Sequence, residues 1–332
     1  MWNKSRNTVA ILFGCLVVAV CALPLFGVEP PVGGRALRDG RAIKFADAVA
    51  GSYGRGALRP LARAYFHEAR AAYRTPEYAA GTNSVIGRYS REDPHGPDAA
   101  DDFPDLKRDG TADEPVVWGV NGFRNVRDIG GWTGLRKGMV YRGSKLSRVA
   151  AFADGVDPET RRIVRDVWRL ASDIDLRGKS EYGPAKTNLI ELQAMGVPKL
   201  AFPIRAYEHI FDKPHLFGAV LHALARPETY PVYIHCSGGA DRTGTLVFVL
   251  EALCGVPEAD IDVDYELTSF ATIFGLRDRN EILTISLRRL KERFRKYPGA
   301  TLQERVENAC VDTFGLTREE IASIRRVLCG GK

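Results

Sequence analysis

The stretch that most restricts how this chain can fold is His235-Cys236-Ser237-Gly238-Gly239-Ala240-Asp241-Arg242-Thr243-Gly244, set between Val232-Tyr233-Ile234 and the apolar run Thr245 to Leu250. A short β-rich run, then glycines, then apolar sequence of helical length predicts strand, tight loop and helix. Such a loop binds anions, because its backbone N–H groups point inward and the positive end of the following helix adds to them. Cys236 opens the loop, where a helix N-terminus and a nearby guanidinium depress a thiol's pKa and make it a nucleophile. Arg242 closes it, with a planar fork able to hold two oxygens of a tetrahedral anion. Ser237, Gly238, Gly239, Ala240 and Thr243 line the anion site, and His235 supports it from the strand.

This Cys-x5-Arg-Thr loop preceded by His resembles the signature of the cysteine-dependent phosphatases, the protein tyrosine and dual-specificity phosphatase superfamily. Its spelling, H-C-S-x-G-x-D-R-T, is also similar to the loops of myotubularin lipid phosphatases and of secreted bacterial tyrosine phosphatases with lipid-phosphatase activity. The resemblance extends upstream. Asn121-Gly-Phe-Arg-Asn-Val-Arg-Asp-Ile-Gly-Gly131 and Gly138-Met-Val-Tyr-Arg-Gly-Ser144 resemble the N-F-R-D-x-G-G and Y-R-S openings of the bacterial branch, with Gly143 inserted. Asp175-Leu176-Arg177 matches its D-L-R element, Ser180-Glu181 follow as in many members, and the resemblance runs from Val116 to Leu328. Because of the inserted glycine, Arg142 is assigned a structural ion pair rather than a substrate contact.

The 332-residue chain carries a formal charge of +6 with its arginines scattered. That pattern excludes nucleic acid as the expected partner and favours anionic substrates or headgroups. Residues 1–29 form a leader, with Lys4 and Arg6 before an uncharged apolar run from Thr8 to about Val28. It is either a cleaved signal peptide or a membrane anchor, and both place the remainder outside the cytoplasm: periplasmic, secreted or membrane-anchored. Of six cysteines, two lie in the leader and Cys236 in the loop, leaving Cys254, Cys310 and Cys329. Cys310 and Cys329 could pair in an oxidising compartment, or all three are buried hydrophobes.

Residues 30–114 are an N-terminal extension and linker with helical stretches at Ala36 to Ala50 and Leu58 to Arg74. The extension either tethers the catalytic domain or packs upon it. From 115 to 332 the pattern alternates. Strands are expected at Val116 to Trp118, Ser172 to Leu176 and Pro198 to Pro203, and helices at Asp157 to Leu170, Thr187 to Met195 and His215 to Ala225, with a mobile loop at Ile204 to Pro214. Pro257 to Phe274, Asn280 to Tyr297, Thr301 to Phe314 and Thr317 to Leu328 are helical, and the last two open with capping boxes. The fold class is therefore α/β, a mainly parallel central sheet flanked by helices, with a helical C-terminal extension.

The resemblance implies phosphoryl transfer to Cys236, then hydrolysis of the phosphocysteine by water, with no metal or other cofactor. Thr243 would donate to the sulfur and ease its departure. A poor leaving group needs a proton, and three aspartates compete to give it, in the order Asp241, Asp175, Asp212. Asp241 resembles the acid of myotubularin-type loops, while Asp212 occupies the place of the movable acid in conventional tyrosine phosphatases. The substrate expected is a phosphorylated protein; a phosphoinositide or inositol polyphosphate is the alternative, and a phosphate-binding pseudophosphatase the non-enzymatic one. The leader would meet the membrane, and oligomeric state is left open.

Overall fold

The computed structural model describes residues 55–56, 60–77, 84–86, 117–118, 123, 125–145, 158–178, 181, 192–270, 277–280 and 287–330. The leader, the 36–50 stretch and most of the 187–195 stretch lie outside these. No helix among the described residues is long and apolar enough to cross a membrane.

Among the described residues seven strands form one sheet in the order β1-β2-β3-β4-β7-β5-β6. Its centre is parallel: β4 (Val140–Ser144), β7 (Val232–Cys236), β5 (Ser172–Asp175) and β6 (Lys199–Ala201) run together, with Ser144 beside Cys236 and Asp175 beside His235. The two-residue strands β1 (Arg55–Gly56), β2 (Val117–Trp118) and β3 (Arg127–Asp128) extend it antiparallel. Parallel strands must have both faces covered, and the burial of every β4, β5 and β7 residue agrees. On one face Trp168 stacks on Tyr141 and Tyr233, with ring centroids 5.0 and 5.9 Å away.

Among the described residues eight α-helices surround the sheet. The amphipathic α1 (Pro60–Ala72) precedes β2, α2 (Pro158–Arg162) precedes β5 and α3 (Pro214–Leu224) precedes β7. Helix α2 widens into a π-helical turn over Ile163–Val167. The extra residue changes which side chains face inward: Ile163, Val164 and Trp168 are buried, but Val167 points outward. Helix α4 (Asp241–Leu253) is buried from Thr243 onward, as a mainly apolar helix enclosed on all sides must be. Then come α5 (Glu258–Leu267), α6 (Leu287–Phe294), α7 (Leu302–Asp312) and α8 (Arg318–Cys329), and both predicted capping boxes, at Thr301 and Thr317, are formed.

The structure departs from expectation in two further places and, for helix α1, takes one of the two alternatives left open. Residues 207–211 form a 3-10 turn with Tyr207 and Ile210 buried, so the stretch expected to be a mobile loop is anchored. Helix α1 packs on the catalytic domain: Tyr65, Phe66, Ala69 and Tyr73 share a cluster with Trp132, Val263, Leu267 and Phe270. Cys329 neighbours Cys254 rather than Cys310, and the two thiols are free but hydrogen-bonded to each other. That bond pushes Cys254 up and Cys329 down to about 7.

Candidate active site

Strand β7 ends at Cys236 and α4 begins at Asp241, so the intervening loop folds over the helix start. Ala240, the N-cap, offers no side-chain cap, which leaves the first amide groups of α4 for a ligand. Gly239 has φ +69°, and a Cβ there would come within 2.4 Å of the Gly143 backbone. Only glycine permits that approach, and the glycine inserted in β4 lies directly beneath it.

The loop is held from below by groups from three segments. The Gly239 carbonyl accepts from Arg142 Nη2 at 2.9 Å and from Asn125 Nδ2 at 3.0 Å. Arg142 and Arg127 both donate to the buried Asp264 carboxylate, Arg127 through Nε at 2.7 Å, and Arg127 also donates to Asn125 Oδ1. Burial alone would raise Asp264, but the two guanidiniums hold it below the usual carboxylate range. The N-F-R-D and Y-R elements are thus the scaffold of the loop, and Arg142 is a structural arginine.

Cys236 is almost wholly buried. Burial acts to raise its thiol, yet the Thr243 hydroxyl and amide and the Arg242 guanidinium outweigh it and leave the pKa below the ordinary value. The buried Thr243 hydroxyl makes no hydrogen bond of ordinary geometry to any described residue, which leaves it available to the sulfur. His235 turns to the opposite side of its strand, with Nε2 3.1 Å from Asp173 and Nδ1 3.9 Å from Asp175. Burial would lower the imidazole, but these aspartates raise it to about 9. At neutral pH it is a cation bound to carboxylates, placed to hold the strand end and not to accept a proton at the sulfur.

Arg242 donates through Nη1 and Nη2 to the two oxygens of Glu181, the second at 2.7 Å, and its Nε bonds no described residue. Glu181 also accepts from Ser237 Oγ at 2.8 Å and the Gly178 amide at 2.9 Å. The Arg242 fork holds its carboxyl down at about 2. Glu181 therefore grips the guanidinium end-on and leaves the Nε edge for an incoming anion. Its sequence signal was only its place after D-L-R.

The three aspartates separate clearly. Asp241, at the first turn of α4, is partly exposed; its Oδ1 accepts from Tyr207 OH at 2.6 Å and Arg277 Nε at 2.9 Å, and its Oδ2 from Arg277 Nη2 at 3.2 Å. Asp175, the second catalytic candidate of the sequence, is no proton donor. It is fully buried and accepts from Arg177 N, Nε and Nη2 at 3.0, 2.8 and 2.7 Å, with Lys199 Nζ 2.5 Å away. Burial would raise its carboxyl, but Arg177, His235 and Lys199 together drive it well below the carboxylate range, so it carries no proton to give. Asp212 is tied to His209 at 2.7 Å and Arg205 at 3.1 Å on the surface. Sequence reasoning missed Tyr207 and Arg277, since neither lies in a motif and only the fold brings them to Asp241.

A thiol of lowered pKa at the base of an amide-lined helix N-terminus, with an arginine fixed six residues on, defines a cysteine-dependent phosphatase of the tyrosine phosphatase-like superfamily. The model of the tyrosine phosphatase family matches residues 118–328, and the chain belongs to that family. Solved structures similar to it include the core catalytic domain of the PP-IP phosphatase SIW14 from S. cerevisiae in complex with citrate, at 22% identity and a TM-score of 0.31, covering 41% of this chain and 76% of that one. A second, the Siw14 catalytic core, is 20% identical with a TM-score of 0.30 and covers 43% and 78%. No curated protein matches the sequence.

Proposed function

We propose that the protein hydrolyses phosphomonoesters through a phosphocysteine at Cys236, with phosphotyrosine in a protein as its substrate class. The lowered thiol pKa of Cys236 inside the Arg242-closed loop carries this reading. The sulfur attacks phosphorus in line and the S–P bond forms as the ester P–O bond breaks. Loop amides and the Nε edge of Arg242 bind the phosphoryl oxygens throughout. Asp241 gives its proton to the departing oxygen and then takes one from the water that cleaves the S–P bond, releasing phosphate and the thiolate. Thr243 stabilises that thiolate as it leaves. His235, Asp175 and Arg177 hold the strand ends in place.

The family description supports the phosphotyrosine reading, and phosphoinositides or inositol phosphates are the competing class. Rates on a phosphotyrosine peptide, a phosphoinositide and an inositol phosphate, measured on one preparation, decide between them. Cys236→Ser should abolish turnover while vanadate still binds, because the cradle is backbone and arginine. Binding of all three substrates with no turnover by the wild type would favour a phosphate-binding pseudophosphatase instead.

A further inference from the structure

Asp241 rests on two supports of different origin. Tyr207 is fixed within the catalytic fold, its amide donating to Thr245 Oγ1 at 2.8 Å and its hydroxyl paired with Tyr265 at 2.8 Å. Arg277 belongs to the short 277–280 segment, which is held by Glu266 and Asp262 of α5 and by Ser269, with the Tyr73 ring reaching it directly from the end of α1. The connection is a continuous set of short contacts through Glu266. Tyr65 and Tyr73 donate to Glu266 Oε2 at 2.5 and 2.7 Å, and Glu266 Oε1 accepts from the Arg279 amide at 2.8 Å. The Arg279 guanidinium also lies 3.9 Å over the Tyr73 ring. Ser269 Oγ accepts from the Arg277 amide at 2.8 Å, which aims the side chain at Asp241.

We infer that helix α1, which lies outside the family-matched span, positions the Asp241 carboxylate through Glu266 and the 277–280 segment. The physical reason is that Glu266 is completely buried beneath α1. A buried carboxyl must have its hydrogen-bonding groups satisfied, and here Tyr65 of α1 and Tyr73 just after it supply Oε2, while the Arg279 amide and the Ser84 hydroxyl supply Oε1. Arg70 and Arg74 fasten the same helix to Asp260 at 3.2 and 2.7 Å, so α1 cannot shift without disturbing the face of α5 that carries Glu266. Tyr65 and Tyr73 are positioning residues, acting on the reaction only through Arg277 and Asp241.

The kinetic part of this inference rests on Asp241 acting as proposed above, and the experiment separates the two. In the full chain, Tyr65→Phe/Tyr73→Phe and, separately, Glu266→Gln are compared with Asp241→Asn, with thermal melts to confirm folding. Backbone amide exchange at 277–280 and 237–241 should accelerate in both positioning variants. Their rate on an alkyl phosphate should fall about 10- to 100-fold relative to an aryl phosphate with an acidic leaving group, the scale of a misplaced catalytic group. A purely structural α1 would slow both substrates alike. Unchanged exchange at 237–241 together with an unchanged alkyl-to-aryl ratio in Glu266→Gln overturns the inference. If Asp241→Asn itself leaves that ratio unchanged, the general-acid reading fails, and exchange at 237–241 alone decides whether α1 positions the residue.

Discussion

Replacing Asp264 with asparagine should damage both stability and catalysis, through one carboxylate that never touches substrate. Asp264 is the shared counter-ion of two buried guanidiniums, Arg127 and Arg142, whose side chains are 4% and 1% exposed. Asparagine keeps the shape but leaves two like charges facing each other with the Glu251 carboxyl, which burial pushes up towards its neutral form. Breaking a buried pair by removing one partner costs about 3–5 kcal/mol, against a total of roughly 5–15 kcal/mol for a domain. In a domain of this size each kcal/mol moves Tm by about 2–4 °C, so a fall of roughly 6–20 °C is expected. Arg142 and Asn125, freed from this anchor, would hold the Gly239 carbonyl less firmly, and vanadate affinity should fall with the rate. Denaturant unfolding, calorimetry and vanadate titration of the same preparation test this. A stability loss below about 1 kcal/mol, or full vanadate affinity in a destabilised protein, would refute the idea that Asp264 organises the loop.

Glu181→Gln should lower kcat/KM by roughly 10-fold, because the neutral amide fixes the Arg242 guanidinium less firmly; a higher rate or tighter phosphate binding would mean instead that Glu181 competes with substrate. Arg242→Lys should lose most activity despite keeping the charge, since an ammonium cannot make the two-point contact, and near-normal turnover would argue against the geometry described. Stability should decline as pH rises from about 6.5 to 9. His235 is raised to about 9, so its contribution is complete below its unfolded value near 6.5 and lost as pH climbs through 9; Glu266 is raised to about 8, so its neutral form favours the fold less and less from about 4.5 to 8. On the acid side Glu181, lowered to about 2, and Asp175 lose their contribution as pH falls below about 4.5. Denaturant midpoints across this range, flatter on the alkaline side in Glu266→Gln, check both arms; rising stability between pH 6.5 and 9 would contradict them.

The sequence by itself determined the reacting loop and the order of elements that presents it. Cys236, Arg242 and Thr243 are local to one strand-loop-helix unit, which its glycines and the helix behind it make legible, although Arg142 and Asn125 from elsewhere hold the folded loop in place. Capping boxes at Thr301 and Thr317 were equally legible, because each is satisfied within four residues. What only the tertiary structure decided is the surroundings of each carboxylate. Asp175, Asp241 and Asp212 are the same residue type in similar polar sequence, and their difference lies in partners brought from elsewhere: Lys199 and His235 around Asp175, Tyr207 and Arg277 around Asp241, Arg205 and His209 around Asp212. The docking of α1 was beyond the sequence for the same reason. Its alanine- and arginine-rich pattern fixes a helix, but a partner for Tyr65 and Tyr73 exists only where Glu266, about 200 residues on, is buried, since hydrogen bonds between side chains depend on distance in space and not along the chain.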